Sequence, residues 1–152
     1  MASKRESIIT AFVNQAKLIK IASGYQTDIG LNVFRAVKLA KDNAISACVI
    51  WPLAETSERA RYDHYIKTFD MQVDGFSVFR SGDEGMDNAS PVAEKLLSDI
   101  VTAFGMFTTT YSQDIVYVSG GTYTYPEPGE SIVGVSALFK VTYKTALNRA
   151  DI

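Results

Sequence analysis

The chain has one cysteine and one histidine in 152 residues, and these scarcities remove whole classes of chemistry. Cys48 has no second cysteine to pair with, so an intramolecular disulfide is excluded and the composition suits a reducing compartment. Zinc sites built mainly from cysteine and histidine are excluded as well. No stretch approaches the about 18 consecutive apolar residues that suggest a membrane-spanning helix. The N-terminal MASKRESIITAF carries charge where a signal peptide needs its apolar run, which points to a protein made and used without export. Charge of one sign is lacking too. Fifteen Lys and Arg against seventeen Asp and Glu leave a net −2, which gives no broad basic face of the kind nucleic-acid binding needs.

What is present is ordinary globular material. Apolar residues make up 47% and charged residues 21%, the proportions of a soluble domain that buries roughly 70% of its unfolded surface. One domain over residues 1–152 is the simplest division.

The pattern along the chain predicts helices and strands in a definite order. Ser3 and Glu6 have the spacing of a capping box, followed by Ile8, Ile9, Phe12, Val13, Ala16 and Ile19 at helical spacing, with Gly24 as a stop. Between Asp28 and Val37, Ile29, Leu31 and Val33 alternate with Gly30, Asn32 and Phe34, which favours a strand, while AVKLAKDNA is able to form a short helical turn. SACVIW is apolar on both faces and predicts an inner strand that stops at Pro52, with the polar AETSERAR leading onward. In YDHYIKTFDMQVDGFSVFR, Tyr65, Phe69, Met71 and Val73 share a buried face. His64, Thr68, Asp70, Gln72 and Asp74 share the opposite, solvent-facing row. The phase slips after Gly75, which predicts a bulge or bend there.

Ser90 as N-cap and Pro91 in the first turn open a second helix, with Val92, Ala93, Leu96, Leu97, Ile100, Val101 and Phe104 as its stripe and Gly105 as its end. Asp114 to Ser119 is a strand, SGGTYTYPEPGES is too rich in glycine and proline to pair throughout, and the final strand buries Val133, Val135, Ala137, Phe139, Val141 and Tyr143. The tail is expected to be mobile from about residue 146. These elements predict an α+β fold: a single mixed, largely antiparallel β-sheet with two α-helices packed on one face.

Candidate chemistry is thin. His64 and Asp63 are sequence neighbours, and neighbours on a strand point to opposite faces, so Asp63 is not expected to orient His64 as a base. Cys48 lies among apolar residues with no neighbour in sequence to lower its pKa. Asp83, Glu84, Asp87 and Asn88 form the best set of oxygen ligands, yet the spacing lacks the alternating ligands and distal glutamate of a calcium loop, so a solvated acidic loop is expected. Gly120 and Gly121 precede no helix and make no phosphate cradle. Tyr123 and Tyr125 sit in a segment without Lys or Arg, which suits a protein contact better than nucleic-acid bases. The expectation is no enzyme, no cofactor and no metal.

The layout resembles the tail terminator proteins of long-tailed bacteriophages, also called tail-to-head joining or tail completion proteins. The likeness runs through the N-terminal helix, DIGLNVFRA, ACVIWP, YIKTFDMQVDGFSVF, VAEKLLSDIVTAF with Asp99 and Ile100 near its middle, and the closing pair DIVYVSGG and GVSALFKVTYKT. It implies a structural virion-assembly protein. Such a protein caps the tail tube as a hexameric ring, stops tube polymerisation and offers a head-joining surface. The implied partners are further copies of the chain, the tail tube protein and a head–tail connector or neck protein. DNA only passes through the lumen, and no membrane is involved. The place of work is the tail–head junction of the virion, after assembly in the bacterial host cytoplasm. The acidic loop 81–89, with Asp83, Glu84 and Asp87, and the segment 119–131, with Tyr123, Tyr125, Glu127 and Glu130, are the expected partner-binding loops. The alternatives are another phage neck or connector protein, or a small cytoplasmic enzyme or ligand-binding domain.

Overall fold

A computed structural model describes residues 2–38, 45–60, 63–78, 89–124, 132–149 and 151. The elements are α1 (Lys4–Ala16), β1 (Val33–Arg35), β2 (Ala47–Ala60), β3 (His64–Val78), α2 (Ala89–Phe104), β4 (Ser112–Thr124) and β5 (Ile132–Ala146). Two short 3-10 turns, Ile21–Ser23 and Ile29–Leu31, separate α1 from β1. The strands form one sheet in the order β1-β2-β3-β5-β4. Only β1 runs parallel to its neighbour; the other pairings are antiparallel. Both helices lie on one face, where Ile8, Phe12, Leu96 and Ile100 share a core with Phe69, Met71, Val135 and Phe139. The fold is α+β, and its order of helices and strands is the one the sequence pattern predicts.

Aromatic packing fixes where α1 and α2 meet the sheet. Phe12 stacks on Phe104 at 5.0 Å, Phe107 meets it edge-on at 5.2 Å, and Phe139 closes the group from β5. Such offset and edge-on pairs add to the gain from area burial alone. Ser3 does cap α1, its Oγ accepting from the Glu6 N–H at 3.1 Å. The second half of the capping box is replaced. The Glu6 carboxylate takes the Arg35 guanidinium at 2.5 and 2.6 Å, which ties the first turn of α1 to the end of β1. That fork holds the Glu6 carboxyl below its usual range. Gly24 does not end α1. It adopts φ +95° to close the 3-10 turn, well after the helix stops at Ala16.

Four local expectations are corrected. Ile29–Leu31 is a 3-10 turn, and only Val33–Arg35 is extended. There Gly30 lies against α1's exit: a Cβ at Gly30 would stand 2.6 Å from the Ala16 and Ile19 carbonyl oxygens. β2 does not stop at Pro52. It bulges between Pro52 and Glu55 and continues, with Thr56, Ser57, Glu58 and Arg59 paired to β3. β1 covers β2 only from Cys48 to Ile50, so beyond that point β2 is an edge strand, where proline and polar residues are tolerated. β3 has no bulge at Gly75: its register with β5 runs unbroken from His64↔Ala146 to Val78↔Ile132. The hydrophobic phase changes there because Val49 and Asp74, on the face away from the helices, are buried alongside Val73 and Gly75. Finally, β4 continues through Gly120 and Gly121 to Thr124, using register shifts to do so.

The start of the tail is tied down. Leu147 N–H donates to the Asp63 carbonyl at 3.2 Å, and Arg149 bridges back to Ala146 and pairs with Asp151 at 2.7 Å. Helix α2 begins at Ala89, so Ser90 and Pro91 fall inside its first turn, where a missing N–H costs nothing.

Candidate assembly surfaces

The strand ends decide which connections can act together. β3 ends at Val78 and β5 begins at Ile132, and these two residues are paired. β4 ends at Thr124 opposite Gly134, and β2 begins at Ala47 opposite Phe76. The connections after β3 and before β5 therefore leave from the same end of the sheet. Of the predicted contact residues, Asp83, Glu84, Asp87, Tyr125, Glu127 and Glu130 lie outside the described residues. Tyr123 falls in the last part of β4, within the register shift between Thr122 and Thr124.

At the opposite end, the turn before β3 brings His64 Nδ1 to 2.7 Å from Asp63 Oδ1. The strand-alternation argument fails here because Asp63 belongs to the turn, outside the strand. The bond lowers the Asp63 pKa. Beside the pair, Lys4 Nζ donates to the Lys144 carbonyl at 2.9 Å, and a shallow depression of about 270 Å³ includes buried Thr145.

Glu55, Asp74 and Asp99 are committed to structural partners. Glu55 accepts a short hydrogen bond from the Tyr143 hydroxyl and lies 3.4 Å from Arg5 and 3.9 Å from Lys67. Arg5 also donates to the Leu53 carbonyl at 2.6 Å and sits 4.4 Å over the Phe69 ring, anchoring α1 to the continued part of β2. Burial, reinforced by Glu55, pushes the Tyr143 hydroxyl up, so it stays protonated as a donor. Asp74 is only 4% exposed, contrary to the expected solvent-facing row. Gln72 Nε2 donates to both its oxygens at 2.9 and 3.2 Å, and Ser136 and Trp51 also hydrogen-bond it. Burial outweighs these bonds and raises the Asp74 pKa. Cys48 is buried, its thiol pushed up by burial and then by Asp74, which leaves little thiolate for chemistry.

Asp99 is the residue whose role went unread. It is buried on α2 and accepts from Gln26 N–H at 3.0 Å, Thr27 N–H at 2.7 Å and Thr27 Oγ1 at 2.5 Å, clasping the segment between the two 3-10 turns. The available signal is its place between Leu96 and Ala103 at helical spacing, where an acid on the apolar stripe demands partners.

Both edges of the sheet expose apolar side chains. On β4 these are Val116, Tyr117 and Val118, the last 53% exposed at the shift between Tyr117 and Ser119. At the β1 edge, Leu31 is 62% exposed over a groove of about 410 Å³ lined by Lys17, Lys20, Val33 and Phe34. Among the described residues no helix is long and apolar enough to cross a membrane. No protein-family model matches the chain, and no curated protein is similar to it at a significant level.

Proposed function

We propose that the chain is a tail terminator of a long-tailed bacteriophage. It works by assembly: a hexameric ring caps the finished tail tube, blocks further polymerisation and presents its far side to a neck protein. The observation that carries this reading is the element order. Helix, short strand, two long strands, helix and two long strands follow one another in the order of the layout on which the resemblance rests. Two features support it. The connections bearing the acidic residues and the tyrosines leave the sheet at one end, through the paired Val78 and Ile132, which suits a single partner-facing end. The described carboxylates Glu55 and Asp99 are occupied in holding elements together, which suits a protein whose work is done by its surfaces.

The expected partners are the tube protein, the neck protein and further copies of the chain. DNA slides through the lumen without being held, and the slightly acidic chain suits that passage. The deciding experiment images tails assembled with and without the protein. Overlong tubes, or tails unable to join heads, are expected when it is omitted. Tails of normal length that join heads without it overturn the reading.

A further inference from the structure

We propose that the two edges of the sheet are halves of one contact, in which the β4 edge of one copy seats in the groove at the β1 edge of a second copy. The inference deepens the ring reading above and rests on it for its biological setting.

An open edge strand of a monomer is commonly blunted by charge, because unpaired backbone groups and apolar side chains invite association. β4 carries a single charge, Asp114, along all of Ser112–Thr124. It instead exposes Val116, Tyr117 and Val118 in succession. Its three register shifts disfavour simple backbone pairing with an added strand, and such bulges re-aim side chains. The result is a low-charge edge whose exposed apolar side chains lie on both faces of the sheet, Tyr117 against Phe139 on the helix side and Val116 beside Lys140 on the other. The opposite edge supplies the counterpart: a groove lined by Leu31, Asn32, Val33 and Phe34 together with two lysines, with no acid among the described lining residues. The one charge of β4 is opposite in sign to the two lysines at the groove. Asp114 meets Lys17 or Lys20 at the rim while Val118 enters the groove beside Leu31.

The two halves lie on opposite sides of the sheet, since β1 and β4 are its terminal strands. One copy therefore uses a different surface for each neighbour. Such a head-to-tail contact generates a closed ring, or a filament if the rotation does not close. A two-fold dimer would bury one edge and leave the other exposed.

The test is thiol cross-linking of the full-length chain with Leu31→Cys and Val118→Cys, both at exposed positions, leaving buried Cys48 in place. Mixing the two single variants is expected to give a covalent dimer about tenfold above either variant alone, because the contact holds the thiols at high effective concentration. The double variant is expected to give a ladder of linked copies. Asp114→Lys should weaken the cross-link, and Lys17→Glu together with Lys20→Glu should restore it. Homodimers of one single variant as the main product would overturn the proposal in favour of a two-fold contact. Yields no higher than with Ser57→Cys, an exposed β2 position, would overturn it in favour of edges covered by a different protein. Because cross-linking reads the purified protein and tail length reads the assembled phage, the two readings fail separately. A ladder beside tails that ignore Leu31→Glu keeps the contact and removes the terminator role.

Discussion

A carboxylate removed from water holds its proton more tightly unless bonds to the charged form compensate. Asp74 is the case in this protein where burial wins over the bonds from Gln72, Ser136 and Trp51, raising its pKa above the ordinary 3.8. The folded chain therefore keeps a proton on Asp74 to a higher pH than the unfolded chain does. The sign follows: Asp74's contribution to stability is greatest below about 3.8 and is lost as pH rises through the raised folded value. Asp74→Asn should leave stability at neutral pH unchanged or higher, and should flatten that part of the pH profile, as read from urea midpoints across pH 4 to about 8. Asp99 makes the opposite kind of prediction. Asp99→Ala strips three accepted bonds from Gln26 and Thr27 and should cost about 3 kcal/mol by leaving buried donors unpaired. A loss indistinguishable from zero in chemical denaturation would show that the segment re-forms its bonds elsewhere. Neither carboxylate was legible as buried. Alternation assigns faces by local polarity, and an acid is scored as a surface residue until its partners, distant in sequence, are known.

At the scale of elements, the long apolar repeats were legible and the interrupted ones were not. β5 buries the residues its periodicity predicts, while α2 buries Ala93, Leu96, Ile100 and Phe104 of its predicted stripe, leaves Val92, Leu97 and Val101 half-buried, and adds Asp99 and Ala103. The failures share a cause: a neighbour far along the chain changes what a local signal means. Pro52 reads as a stop, yet β2 has lost its β1 partner by then and carries on against β3. Gly120 and Gly121 read as loop, yet they pair with Ala137 and Ser136. Gly75 reads as a bulge, but its missing side chain makes room for helix α2. A Cβ there would lie 3.0 Å from Ile100 Cδ1 and 3.4 Å from Ile29 Cδ1. Gly75→Ala should therefore destabilise by about 1–3 kcal/mol through overpacking. A gain in melting temperature would instead show that Ile100 and Ile29 yield freely, leaving the strand's lowered backbone entropy to dominate.

For the whole molecule, the proposed ring implies that copies of the chain hold one another only weakly in solution. The exposed apolar run on β4 is three residues long and the groove at β1 is small, so each proposed contact belongs with modest, transient interfaces below about 1,200 Å². In dilute solution the chain should sediment as a monomer or a weakly associating ring. If the chain caps a tail tube as proposed, six neighbouring sites on the tube end should hold the ring together by raising effective concentration. A tight dimer as the only species at micromolar concentration would contradict this.

The loop joining β4 to β5 carries the last prediction. β4 runs to Thr124, so a cut made at residue 121 would remove paired strand. The segment to replace is 125–131, exchanged for Asn-Gly, which with Ile132 and Val133 closes a four-residue hairpin loop on the Thr124↔Gly134 pair. β4 and β5 keep their pairing from Ser112↔Tyr143 to Thr124↔Gly134, and β5 keeps β3 on its other side, so the shortened chain should fold with an unchanged circular dichroism spectrum. Tyr125, Glu127 and Glu130 go with the segment. If they contact the tube or the neck, tails built with this variant should be overlong or should fail to join heads, although the proposed ring contacts at the two sheet edges are left intact. Head-joined tails of normal length would make the segment a connector and move the partner-facing surface elsewhere on the molecule.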